Sequence, residues 1–472
     1  MTTAVNESAP GGAARQAAGL PRLLPPAPED LRAHLTRYGP VPYRGRKAAL
    51  IGDIEAAGLT GRGGAAFPVH RKLALVASAR PSRKVIVANG AESEPASRKD
   101  ELLLRIAPNL VLDGLQLTAE AIGATEAHLY LHGAPGPEVL RALAERASRG
   151  LDGLAVTVTQ APLRFLAGQE TALVNRLGGG PALPMFQPPR VTERGLGGAP
   201  TLVQNVETLA HIALIARYGP RWFRAAGTDA EPGSMLTTVY SPDSKVRVVE
   251  AEIGTPLRNL LGAGAPGSDG PNGDRAPGVQ AWLVGGYHGT WLPMPDAVGL
   301  TLDNRSLRRF GAAAGAGVLA ALPSDRCGLT EAARVTGYLA AESAGQCGPC
   351  LNGLPRIAAG LAELAGRGHR RQIRADLERW AGLVTGRGAC NHPDGTVRFV
   401  RSALTVFAPE IARHARGQCS ATSHGATSHG ATSHGATSHG ATSHGATSHG
   451  ATGRKPFLPL PAGLPTSEED WI

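Results

Sequence analysis

From residue 29 onward the hydrophobic positions recur every three or four residues or alternate, whereas residues 1–28 do neither and are expected to form a disordered arm. Two helical patterns run through 30–57. Gly58-Leu-Thr-Gly-Arg-Gly-Gly-Ala-Ala-Phe67-Pro68 interrupts them with a loop that only glycines make so tight, and it opens onto a helix over 69–78. Val85-Ile-Val-Ala88 reads as a buried strand, 109–121 as a helix and Ala127-His-Leu-Tyr-Leu131 as a second strand. An amphipathic helix over 136–147 and a strand over 154–159 continue the alternation. Strand, helix, strand predicts a parallel α/β sheet. Between 235 and 293 the pattern changes to Leu236-Thr-Thr-Val-Tyr240, Val246-Arg-Val-Val-Glu250 and Val279-Gln-Ala-Trp-Leu-Val284, a small β-rich module with a Gly/Pro/Asp-rich insertion near 263–277. From 329 to 414 helical spacing dominates and predicts a bundle around a cysteine run. Ala-Thr-Ser-His-Gly is then repeated six times over 421–450. Its period of five matches neither helix nor strand and offers nothing to bury, so a disordered spacer is expected.

These changes divide the chain into an arm (1–28), an α/β domain (29–234), a β module (235–300), a helical region (301–417), the repeat linker (418–455) and a tail (456–472). A length of 472 residues suits several cores, and 42% hydrophobic with 18% charged residues excludes wholesale disorder. The net charge of +10 would suit a nucleic-acid partner, but the arginines are scattered and no aromatic residues interleave with them, so none is expected. The five cysteines lie in the last third, two of them three residues apart, which suits metal better than disulfides and a reducing compartment. No secretory signal is expected at the N-terminus. The best apolar run, 310–323, is too short to span a bilayer, and a cytoplasmic location is expected.

Three segments carry candidate chemistry. The Gly-rich loop lacks the Lys-Ser or Lys-Thr of a phosphate-cradling P-loop. Its bare N–H groups beside a helix start, with Arg62, His70, Arg71 and Lys72 nearby, nevertheless suit an anion such as phosphate; the rival is a helix-packing turn. Asn89-Gly-Ala-Glu-Ser-Glu-Pro95 follows a strand end, where open α/β sheets bind ligands. Its carboxylates suit sugar or ribityl hydroxyls, the rival being a solvated acidic turn. Glu342-Ser-Ala-Gly-Gln-Cys347-Gly-Pro-Cys350 brings two thiols around one turn onto a single metal centre, which Cys390 could close from another helix end.

Together with Gly168-Gln-Glu-Thr171 and Pro200-Thr-Leu-Val-Gln-Asn-Val-Glu-Thr208, these motifs resemble, in order, those of the 51 kDa flavoprotein subunit of respiratory NADH–quinone oxidoreductase. The same family includes the diaphorase subunits of NAD-linked hydrogenases and formate dehydrogenases. The resemblance covers roughly residues 32–415. It implies an FMN- and NADH-binding α/β domain, a β-grasp module and a C-terminal helical bundle holding one [4Fe–4S] cluster. By position it places Gly61, Arg62, Gly63 and Gly64 against FMN and NADH, Lys72 on the flavin phosphate and Phe67 on the nicotinamide nucleotide. Asn89, Glu92, Glu94, Gly168, Glu170, Asn205 and Thr208 would line the flavin pocket, and Cys347, Cys350 and Cys390 would ligate the cluster. No side chain is implied as a covalent catalyst. The implied activity is NADH dehydrogenation, hydride passing to FMN and single electrons through the cluster to a ferredoxin-like or other iron–sulfur subunit. Any membrane complex would be reached only through other subunits.

Four positions depart from the family pattern. Ala91 replaces an Asp, Gln169 a Glu and Gln204 an Asn, each altering the expected cofactor pocket. Ala344 occupies the place of the first cysteine of the triple run, and a methyl group cannot ligate iron. The fourth position must then draw on Cys327, Cys419, a water or another donor, or the cluster must drop an iron or be absent. These departures leave room for a rival function, a non-catalytic scaffold of the same fold that docks a ferredoxin-like partner.

Overall fold

The structure is a computed structural model that describes residues 20–43, 47–243, 245–264, 278–423, 456–463 and 468–472. Residues 1–19, nearly all of the 263–277 insertion and the histidine-bearing repeat from 424 lie outside the described residues. The chain enters through helices α1 (Leu31–Tyr38), α2 (Lys47–Ala57) and α3 (Val69–Ala77). It then builds the parallel sheet that the alternating pattern predicts, with β1 (Val85–Gly90), β2 (Glu126–His132), β3 (Val156–Ala161) and β4 (Thr201–Asn205) in the order β3-β2-β1-β4. Helices α4 (Lys99–Ile106), α5 (Pro108–Ile122), α6 (Pro137–Ser148), α7 (Glu170–Leu177) and α8 (Val206–Arg224) alternate with these strands. Almost every side chain of α5 is buried, as expected of a helix between sheet and neighbouring helices. It crosses α8 so closely that a Cβ on Gly114 would lie 1.9 Å from the Leu209 carbonyl oxygen. One carboxylate, Asp113, ties this layer together. It accepts from His34 at 2.7 Å and Arg146 at 2.7 Å, and also pairs with Arg217, joining α1, α5, α6 and α8.

A second, mixed sheet follows: β5 (Ser234–Tyr240), β6 (Val246–Glu252), β7 (Val279–Val284), β8 (Thr290–Pro293) and β9 (Val318–Pro323), in the order β6-β5-β9-β7-β8. Its central strand β9 lies beyond residue 300, in the stretch the sequence assigns to helices. The Ala-rich run of β9 is buried on both faces and so shows no alternation to mark it as a strand. Helices α9 (Gly328–Ala341), α10 (Leu354–Ala365), α11 (Ile373–Val384), α12 (His392–Val406) and α13 (Ala408–His414) complete the bundle. Trp291 of β8 packs against Phe399 and Phe407 at ring-centroid distances of 6.0 and 5.1 Å, so sheet and bundle share one core rather than dividing near residue 300.

Both chain ends differ from expectation. Within the expected loose arm, Leu23 is fully buried. The N–H groups of Arg22 and Leu23 donate to Glu250 at 2.7 and 2.8 Å, and the Arg22 guanidinium lies 4.2 Å from the Trp222 ring centroid. Beyond the repeat, Phe457, Leu458 and Trp471 are buried against the body. No helix among the described residues is long and apolar enough to cross a membrane.

Candidate functional site

The C-terminal ends of β1 and β4, the Gly-rich loop and one edge of the bundle surround a cavity of about 870 Å³. Gly61, Arg62, Gly63, Gly64, Phe67, Lys72, Asn89, Glu92, Glu94, Gly168, Glu170, Asn205 and Thr208 all border it, as does Cys390. The four sequence-distant motifs therefore converge on one space, at the strand ends where open α/β sheets bind ligands.

The loop is closed by a backbone bond from the Gly61 N–H to the Phe67 carbonyl, 2.9 Å. Gly64 sits at φ +104°, and Ala66 at φ +50° is the one non-glycine with positive φ among the described residues, a strained conformation held by its surroundings. The loop delivers the chain to α3, whose Pro68 cap supplies no side-chain bond to the first-turn N–H groups. Phe67 stays 44% exposed at the rim, offering a free ring face.

Several predicted contacts are engaged within the fold instead of pointing freely into the cavity. The Arg62 guanidinium is buried beneath the loop, donating to Thr60 Oγ1 at 2.8 Å and the Ser234 carbonyl at 3.2 Å, so Arg62 meets the cavity only through the loop it braces. His70 faces Glu55 at 3.6 Å, and neither it nor Arg71 borders the cavity. Lys72 Nζ lies 2.6 Å from Glu170 Oε1, in an alignment that leaves that oxygen without a hydrogen bond, and donates to the Val203 carbonyl at 2.8 Å. Glu92 accepts the N–H groups of Lys99 at 2.7 Å and Asp100 at 3.1 Å and so caps α4. Asn205 caps α8 through the Glu207 N–H at 3.0 Å, while Thr208 Oγ1 accepts the Arg62 N–H at 2.9 Å. Asn89 Nδ2 donates to the Gly168 carbonyl at 2.9 Å, and a Cβ on Gly168 would come within 2.4 Å of Ser93 Oγ.

Charge is concentrated on the cavity floor. Lys99 is almost fully buried between Asp100 at 2.7 Å and Glu207 at 2.9 Å. Burial first, then the charge of Asp100, pushes the Glu92 carboxyl up to about 7. Burial pushes Glu94 up to about 8 even though the Tyr287 and Ala96 N–H groups donate to it. Both carboxyls can hold or release a proton near neutrality at the cavity wall. The sequence assigns no role to Lys99, Asp100 or Glu207, although Glu207 falls within the 200–208 motif, because nothing in their spacing distinguishes a buried ion network from a solvated one.

On the bundle side, His288 Nε2 lies 3.1 Å from His392 Nδ1, and the Phe165 ring packs on both. A Cβ on Gly395 would meet the His288 ring at 2.4 Å, which seats this pair tightly against α12. Burial holds His392 down at about 4 and His288 well below its ordinary value, so both are neutral. The one sequence signal for His288 is the Gly285-Gly286 pair before it, both at positive φ. Past this pair lie the three thiols. Cys390 precedes α12, and Cys347 and Cys350 occupy the turn that starts α10, outside the cavity lining. Burial, then the proximity of Cys347 and Cys390, pushes the Cys350 thiol up to about 12. Cys347 and Cys390 are thus both within electrostatic reach of Cys350, as ligands of one iron–sulfur core must be. Cys327 and Cys419, two of the alternatives for the fourth cluster position, gather instead with Glu410 and His414.

The departures also find roles. Gln169 caps α7, its Oε1 accepting the Thr171 and Ala172 N–H groups at 2.9 Å, which a glutamate there would do equally. Gln204 borders the cavity with its Nε2 buried and without a hydrogen-bond partner, a donor suited to a ligand acceptor. A polar cavity with an unpaired amide donor, a bare glycine loop at a helix start and an aromatic rim fits a planar nucleotide with a phosphate. Three thiols and Ala344 fit a cluster with three protein sulfurs.

Comparison with known proteins agrees with this geometry. Residues 54–214 match the Nuo51 FMN-binding domain, and residues 330–414 match the NADH-ubiquinone oxidoreductase-F iron-sulfur binding region. The second F-type subunit of NADH-quinone oxidoreductase from Rhizobium meliloti (strain 1021) is 30% identical over 379 residues, covering 77% of this chain and 88% of that relative. The F-type subunit of the Streptomyces coelicolor enzyme is 30% identical over 386 residues, covering 78% and 83%. Among solved structures, a chain of an NAD+-reducing [NiFe]-hydrogenase in the H2-reduced state superposes with a TM-score of 0.70 at 25% identity, over 82% of this chain and 67% of that one.

Proposed function

The chain belongs to the family of F-type subunits of NADH-quinone oxidoreductase, and from that premise we propose how its own residues serve an NADH-oxidising electron-transfer subunit. When bound, FMN supplies hydride acceptance and one-electron release, and the [4Fe–4S] cluster supplies one-electron carriage. The Gly63 and Gly64 N–H groups and the first turn of α3 hold the flavin phosphate, with Lys72 alongside once it shares its charge between Glu170 and the phosphate. Phe67 packs on the nicotinamide nucleotide. Gln204 Nε2 donates to the flavin, and Glu94 holds a proton at the cavity wall. Glu92, Asn205, Asn89 and Gly168 act one step back, fixing the helix starts and loops that shape the pocket. The neutral His288–His392 pair and Phe165 fill the space toward Cys390, excluding water without placing a fixed cation in it. Cys347, Cys350 and Cys390 hold the cluster. The partner is an iron–sulfur subunit that accepts electrons from it.

The observation that carries this reading is the convergence of all thirteen motif residues and Cys390 on one cavity. A scaffold that only docks a partner is the less favoured reading, because nothing would keep that cavity open and lined. The test is Gly63→Val in the full chain. Gly63 has an ordinary φ, and a Cβ there meets only the Asn205 Cβ at 3.4 Å, so the variant is expected to fold. Its side chain nevertheless fills the place where a phosphate meets bare backbone. Flavin content after anaerobic purification should fall at least tenfold, with NADH oxidation by a soluble one-electron acceptor falling alongside. Full flavin content in the folded variant would show that the loop does not hold the cofactor.

A further inference from the structure

At the end of the bundle away from the Cys347 turn, Cys327, Glu410, His414 and Cys419 each offer one ligand atom, and these four atoms all lie within 4.8 Å of one another. Cys327 immediately precedes α9, and Glu410 and His414 stand one turn apart on α13, which puts both on the same face. The chain reverses after α13: the Gly417 N–H bonds to the His414 carbonyl at 2.9 Å and the Ser420 N–H to Glu410 Oε1 at 2.8 Å, bringing Cys419 back over the same spot. Cys327 Sγ lies 3.5 Å from His414 Nε2, and His414 Nε2 lies 3.3 Å from Glu410 Oε1. Ligands placed about 2.0–2.3 Å from a tetrahedral zinc are separated by edges of about 3.3–3.8 Å, so these two separations match such edges, and the remaining atoms, all within 4.8 Å, need only a small inward shift to close on one ion.

We propose that Cys327, Glu410, His414 and Cys419 bind one structural zinc ion, a site separate from the iron–sulfur thiols. Two soft thiols, an imidazole and a carboxylate in tetrahedral reach select a redox-inactive borderline cation such as zinc over the hard cations, which require a shell of oxygens. Glu410 and His414 are buried whereas the two cysteines are partly exposed, so the ion has a way in and a closed seat. Four ligands leave no open position, which makes the role structural. The ion clasps the point where the chain leaves the bundle, just before the repeat, to the start of α9. The far end of that helix leads into the Cys347 turn.

The test uses the full chain, purified anaerobically and dialysed against a weak chelator to strip zinc from the repeat histidines. Metal analysis should then give one zinc per chain in addition to iron. X-ray absorption at the zinc edge should show two sulfurs at about 2.3 Å and two lighter atoms at about 2.0–2.1 Å. A shell of nitrogen and oxygen only would assign the zinc to the repeat, and a shell of three sulfurs would assign it to the iron–sulfur thiols; either overturns the proposal. Cys419→Ser should lose this zinc while keeping its iron and flavin. Should that variant fold poorly, Glu410→Gln and a strong-chelator titration of the wild type serve in its place, the chelator lowering the melting temperature of the wild type but not of the variant. Equal zinc in wild type and variants, or a Cys327–Cys419 disulfide found by mass spectrometry of the anaerobic protein, would also overturn it.

Discussion

Asp113 shows how much of the molecule rests on single buried charges. Burial alone would raise its carboxyl, but the His34 bond and the charges of Arg146 and Arg217 outweigh it and hold the group at about 2, against an ordinary 3.8. A lowered carboxylate value stabilises the fold above the unfolded value and loses that contribution as pH falls through the folded one. Acid unfolding is therefore expected between about pH 4 and 2. Asp113→Asn, which leaves Arg217 without a carboxylate and Arg146 with Asp152 alone, should cost about 3–5 kcal/mol in denaturant melts at neutral pH and flatten that acid limb. An unchanged limb would place the acid sensitivity elsewhere. Ala344 is the second residue on which a property turns. It adjoins Gly345, whose backbone tempers the rise of the Cys350 thiol, so the missing thiol belongs close to Cys350. Cys327 and Cys419, engaged with Glu410 and His414, do not replace it. One iron is then expected to carry an exchangeable ligand and to leave readily in air, giving a three-iron form visible by electron paramagnetic resonance. Ala344→Cys should suppress that signal in air-exposed protein; equal air stability in both proteins would mean that another donor already fills the position.

At the scale of elements, the cavity is a meeting of helix starts. The beginnings of α3, α7 and α8 border it, and Gln169 and Asn205 from the sequence motifs cap the last two, while Glu92 caps α4 close by. This explains why the substitution at 169 is tolerable. Gln169→Glu should retain full flavin content, whereas Gln169→Ala should cost about 1 kcal/mol through the lost cap and lower flavin content only as far as α7 frays. Thermal melts beside a flavin count would separate the two effects, and a complete loss of flavin in the alanine variant at unchanged stability would make Gln169 a direct ligand contact. The motifs are legible in the sequence because each sits at a strand end or helix start where glycine or a short polar side chain is required by the backbone. The first three strands and their helices are legible by period. Three strands are not: β4 runs straight into α8 with no turn residues between, β8 is only four residues long, and β9 is an unbroken buried run that serves helix and strand equally well. The buried networks of Asp113 and Lys99 are invisible for a different reason, since ion pairs such as Asp113–Arg217 and Lys99–Glu207, each across about a hundred residues, leave no local pattern.

Across the whole molecule the chain ends matter more than their composition suggests. Composition alone makes everything after Cys419 look dispensable, yet the segment beyond the repeat returns to the body. The Phe457 and Leu458 N–H groups donate to the Glu331 carboxylate at 3.1 and 3.3 Å. Tyr287 donates to the Pro459 carbonyl, and Arg164 pairs with Asp470 at 3.1 Å. Arg164 also meets Glu342, the first residue of the cysteine motif, at 3.3 Å, and the neighbouring Phe165 lines the cavity. The tail thus braces both the flavin cavity and the cluster turn from outside. Phe457, Leu458 and Trp471 are 6%, 0% and 5% exposed. At about 1.5–3 kcal/mol for each such side chain, they contribute an amount comparable to the margin by which most proteins stay folded. Ending the chain after Ser423 should therefore lower the melting temperature by several degrees and reduce flavin and iron content together. Shortening the repeat from six copies to three, with the tail kept, should change none of these, because the repeat has no apolar side chain larger than alanine to dock. The comparison turns on the difference between the two variants, measured by thermal melts and cofactor counts on protein purified in parallel. If both lose stability equally, the repeat itself supports the fold; if neither does, the docked tail contributes nothing that the body does not already hold.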